Sequence, residues 1–143
     1  MKSICLLIIY LSPVFGLAQE MADLTGVWEL DLDRQVRELQ KDPDSKFTAM
    51  PGPVQEMFLK SLETRKYIFY ADGRFEAYWL LGGKSHVLGG TWEFKFPDNL
   101  SLSLESGQDK KYAVSFQKEI LKLISGEKTE NVLHTLYLKR EVP

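Results

Sequence analysis

From residue 65 to residue 140 apolar and polar side chains alternate in short runs, and each run stops at a turn signal. Alternation with period two puts every second side chain on the same face of an extended chain. Runs of this kind joined by connections of a few residues have few ways to fold. Each strand pairs with its sequence neighbour, and the result is an antiparallel meander. The runs are 65–71, 74–81, 86–96, 100–105, 110–117, 119–125 and 132–140. Asp72-Gly73 closes the first hairpin with the strongest short turn signal there is. Gly82-Gly83, Pro97-Asp98-Asn99, Ser106-Gly107-Gln108-Asp109, Lys118-Glu119 and a loop at 126–131 separate the others.

One more alternating run precedes these, at residues 24–32, where Leu24, Gly26, Trp28, Leu30 and Leu32 share a face. Eight strands are enough to close a sheet on itself and remove its edges. The predicted fold is therefore all-β: an eight-stranded antiparallel up-and-down barrel with a helical insertion between the first two strands. That insertion, 33–64, breaks the alternation. Asp33 is expected to cap a short helix carrying Val36 and Leu39. A polar loop follows at 41–45, then Pro51-Gly52-Pro53, with Pro53 placed where a first helical residue can sit. Over 53–64, Val54, Met57, Phe58 and Leu62 fall on one face of an amphipathic helix.

The up-and-down order assigns ends to the barrel. The turns at 72–73, 97–99 and 118–119 share a lower end, and the 33–64 insertion with the remaining loops shares the upper one. Trp28 starts at the lower end, and the last strand delivers Arg140 to it. Arg140 has the parity of Leu136 and Leu138, so it points inward and meets Trp28. A guanidinium over an indole face stabilises by ~0.5–2 kcal/mol, depending on how dry the contact is. The same parity turns Trp28, Phe69, Phe75, Trp92, Phe94 and Phe116 into the lower half. Gly89-Gly90 marks a place where the strand can bulge.

Gly26-Val27-Trp28 opening the first strand, with an Arg at the end of the last, resembles the pattern of secreted bacterial lipocalin-like proteins, over residues 24–140. The resemblance implies a container that holds its ligand at the open end. The helix in the first connection is a departure, since lipocalins usually have a plain loop there.

Residues 1–18 have the form of a secretory signal: Lys2, an apolar run from Ile4 to Tyr10, and Gly16-Leu17-Ala18 before an expected cleavage. The run is far short of the ~20 residues that span a bilayer. The expected mature chain is one barrel domain, 19–143, periplasmic or secreted, with no transmembrane segment. The one cysteine of the chain, Cys5, lies in the leader, so the mature domain is held by its core without disulfides. With 18 basic and 20 acidic residues and no basic run, nucleic acid is a poor partner.

Residues toward the upper mouth are the candidate ligand contacts: Tyr67, Trp79, Leu81, His86, Tyr112 and His134. A barrel of this size is either filled by side chains or holds one small ligand. Two functions follow. One is non-catalytic binding of a small, largely apolar molecule, with Met57, Phe58 and Leu62 as a lid. The other is an extracytoplasmic protein-interaction module built on a solid barrel. No catalytic residue is assigned: there is no cysteine nucleophile in the mature chain, no Gly-x-Ser-x-Gly and no His-Glu-x-x-His. His86 and His134 lack a third ligand at diagnostic spacing, so neither a metal nor another cofactor is expected.

Overall fold

The computed structural model describes residues 24–41, 43–126 and 133–141. The expected leader, 1–18, and most of the loop at 126–131 lie outside them. Eight strands form a closed, all-antiparallel barrel in sequence order. They are β1 (Gly26–Leu30), β2 (Lys66–Phe69), β3 (Arg74–Leu81), β4 (Lys84–Lys95), β5 (Asn99–Leu104), β6 (Asp109–Gln117), β7 (Ile120–Ser125) and β8 (Thr135–Arg140). Two helices, α1 (Leu32–Gln40) and α2 (Gly52–Thr64), lie between β1 and β2.

The first strand is shorter than its alternation. Asp31 has left the sheet and caps α1, its carboxylate accepting from the Arg34 amide at 3.3 Å. The cap is therefore Asp31, two residues earlier than expected. The physical reason is that Leu32, apolar and in phase with the strand, fits the first turn of the helix equally well. Leu24 is also outside the ladder, but its carbonyl accepts the Trp28 indole N–H at 2.9 Å and its side chain is wholly buried.

The inward faces build one core. Trp28, Leu30, Phe69, Phe75, Leu121 and Leu138 are each at most 3 % exposed, and full burial of side chains of this size stabilises by roughly 1.5–3 kcal/mol apiece. In the lower half Phe69 meets Phe75 at 5.2 Å and the edge of Trp92 at 5.6 Å. The Trp92 indole N–H is satisfied by the Tyr70 carbonyl at 2.8 Å. Phe116 does not join this cluster: it is 44 % exposed. Parity assigns a face, but depth along the strand decides whether that face is covered, and Phe116 is one residue from the lower end of β6. The β3–β4 and β4–β5 registers run through Gly89 and Gly90 without a bulge. Gly90 is required for another reason: a Cβ there would lie 2.2 Å from the Ser103 carbonyl oxygen, so β4 and β5 touch backbone to backbone.

At the lower end Trp28 and Arg140 are register partners. The guanidinium sits 4.4 Å from the centre of the Trp28 ring and donates to the Thr25 carbonyl at 2.8 Å. Gly26 makes room for it. Its φ is +126°, and a Cβ would fall 2.8 Å from Arg140 Nη1. The Gly, the Trp and the Arg are thus one packing unit.

Candidate functional site

The upper half of the barrel is not filled. A partly open cavity of about 250 Å³ lies there, floored by Phe69 and Phe75 and walled by Ala77, Leu88, Leu102, Leu104, Leu123 and Leu136. Tyr67, Trp79 and Tyr112, all expected at the mouth, line it. The reason it stays open is visible in residue size. Ala77 is the smallest inward residue of β3, between Phe75 and Trp79.

Helix α2 covers this end. Leu62 is 1 % exposed and Phe58 lines the cavity, with its ring 5.9 Å from Phe47 of the preceding connection. Met57 differs from the expectation. It is 39 % exposed and lies beside the β3–β4 turn at Gly82 rather than over the cavity. One residue along a helix turns a side chain by about 100°, because there are 3.6 residues per turn. With Phe58 aimed at the opening, Met57 is carried to the rim.

Three of the expected contacts stand away from the cavity wall. Leu81 and His86 belong to a β3–β4 hairpin that runs past the mouth, with Leu81 paired to Lys84 and Trp79 to His86. The His86 ring lies nearly parallel to Trp79, 5.4 Å away, and so packs on that indole instead of reaching the interior. His134 precedes β8, and its Nδ1 shares a hydrogen bond of 3.2 Å with the Thr135 hydroxyl. Among the described residues no three His, Cys, Asp or Glu side chains converge as a metal site would require.

Arg65 and Lys110 line the cavity although neither is expected there from sequence. The signal was present. The parity that turns Tyr67 inward also turns Arg65 inward, and Tyr112 carries Lys110 with it. A charged side chain is ordinarily assigned to the outside of a barrel, and that assignment hides both. The Arg65 guanidinium stands 4.7 Å from the centre of the Trp79 ring, a cation–π distance. One of its terminal nitrogens reaches the Tyr67 hydroxyl at 3.5 Å, long for a hydrogen bond. Its Nε is buried and has no hydrogen-bond partner. Burial raises the Tyr67 phenol above its ordinary pKa, the nearby Arg65 charge only partly opposing this, so the hydroxyl keeps its proton at neutral pH.

No helix among the described residues is long and apolar enough to cross a membrane. No model of a known protein family matches the chain, and no characterised protein matches it in sequence.

Proposed function

We propose that this protein is an exported, non-catalytic binding protein of lipocalin-like type, which holds a small, largely apolar molecule in the upper half of its barrel. The observation that carries this reading is the 250 Å³ cavity above Phe69 and Phe75, walled largely by apolar side chains and overhung by Phe58. Ligand sites are concave, apolar and supplied with a few polar groups that fix orientation. At ~30 Å³ for each water-sized atom, this cavity has room for about eight heavy atoms. The Gly26–Trp28–Arg140 unit at the opposite end supports the lipocalin-like assignment, since it closes the floor and leaves one mouth. The interaction-module alternative needs a solid barrel, and a cavity of this size weighs against it.

Octanol, a neutral molecule of nine heavy atoms, tests the site. Titration calorimetry is expected to show saturable binding that is lost in Ala77→Phe, which places a ring inside the cavity. Absence of saturable binding, or equal binding by Ala77→Phe, would overturn the reading. Export is tested separately by the intact mass of the secreted protein, which is expected to begin at Gln19 without an acyl chain.

A further inference from the structure

The cavity is apolar but not electrically neutral. Among the described residues its only charged lining side chains, Arg65 and Lys110, are both cationic. Arg65 enters at the start of β2 and Lys110 near the start of β6, strands that lie on opposite sides of an eight-membered closed order. Among the described residues neither has an acidic partner within 4 Å. Some cations on the outer surface do find acids, as Arg74 finds Asp72 and Lys139 finds Glu29. What sets Arg65 and Lys110 apart is their place on the cavity wall.

A buried donor without a partner is uncommon in a folded protein and calls for a cause. Arg65 Nε is such a donor, and it belongs to a charged group, for which desolvation is most costly. The guanidinium is also held in place before any ligand arrives, because it rests over Trp79. Beside it, Tyr67 keeps a proton to donate. The Arg65 contact uses the phenol as acceptor, and burial keeps the phenol neutral. A planar guanidinium edge, a phenol O–H and an ammonium across the mouth form a set of donors with no acceptor charge among them. A carboxylate has the complementary geometry, since its two oxygens match the fork of an arginine.

We propose that the ligand is an amphiphilic carboxylic acid with a short apolar tail. Its carboxylate is held at the mouth by Arg65, Tyr67 and Lys110, and its tail lies over Phe69 and Phe75. This rests on the binding reading above and adds the head group to it. The cavity volume keeps the enclosed tail short, and a longer chain would extend past Phe58.

Octanoate and octanol differ at the head and share the tail, so their comparison isolates the charge. Calorimetric titration of the full mature chain is expected to show octanoate binding at least about tenfold more tightly than octanol, the scale of one charge-assisted hydrogen bond. Arg65→Gln is expected to remove that preference by weakening octanoate at least about tenfold more than it weakens octanol. Lys110→Gln, which disturbs neither the Trp79 contact nor the start of β2, is expected to reduce the preference severalfold. It keeps the test alive if Arg65→Gln fails to give a native circular dichroism spectrum. Equal affinity for the two probes, or parallel loss of both in a folded Arg65 variant, would overturn the head-group assignment and leave the pocket standing. Binding of neither probe would overturn the pocket and this assignment together.

Discussion

Gln35 closes a gap in the barrel seam, and Gln35→Leu should expose how much depends on it. Strand β1 ends at Leu30, so its ladder with β8 covers only Leu138 to Arg140. Above that point the edge of β8 would have no neighbour. The Gln35 side chain, 1 % exposed, takes the place of a strand. Its Nε2 donates to the Thr135 carbonyl at 2.7 Å, and its Oε1 accepts from the Tyr137 amide at 3.1 Å. The Asp31 amide completes the row by donating to the Tyr137 carbonyl at 2.8 Å. Leucine keeps the size and helix preference of the residue but leaves one carbonyl and one amide unsatisfied. Each such buried group costs ~1–3 kcal/mol, and better burial of the leucine returns roughly 1 kcal/mol, of the order of one methylene's transfer. The expected loss is ~2–4 kcal/mol. Equilibrium urea unfolding should show a lower midpoint with an unchanged slope, the mark of lost stability without a change in the surface exposed. Hydrogen exchange should speed at the Tyr137 amide while the Leu138 amide, which faces β7, stays protected. A Gln35→Leu protein within about 0.5 kcal/mol of the parent, below the cost of even one unsatisfied group, would refute the reasoning.

Arg140→Ala removes a cation–π contact and the hydrogen bond to Thr25 at a partly solvated site, so urea unfolding should show a loss of ~1–2 kcal/mol. Gly90→Ala forces a Cβ against the Ser103 carbonyl and should cost more than ~2 kcal/mol, with a matching fall in melting temperature. Tyr78 donates to the Glu76 carboxylate, which stabilises its neutral form and raises its pKa to about 12. Ultraviolet titration should therefore show one phenol ionising near that value, and Glu76→Gln should bring it down toward the ordinary ~10.

Period-two alternation and turn residues were sufficient to define the meander, because they act locally. Arg74–Leu81 begins and ends where Asp72-Gly73 and Gly82-Gly83 say it should. The Trp28–Arg140 contact was also legible, since strand order and parity are both properties of the chain read in one dimension. The site was legible only in part. Tyr67, Trp79 and Tyr112 follow from parity, but parity cannot say how far a hairpin runs beyond the mouth, and that distance removes Leu81 and His86 from the wall.

What tertiary structure alone decided is where charge and polarity go inside. Gln35 is a polar residue on a short helix, and nothing local shows that it substitutes for a missing strand. Its partners lie a hundred residues away in sequence. Arg65 and Lys110 have inward parity, yet their place on a cavity wall depends on a cavity that exists only once eight strands have closed around it. Sequence determines which face a side chain takes, because that is set by the backbone repeat. Whether the face meets water, a packed neighbour or an empty volume is a property of the closed barrel, and the cost of an unpaired donor arises only there.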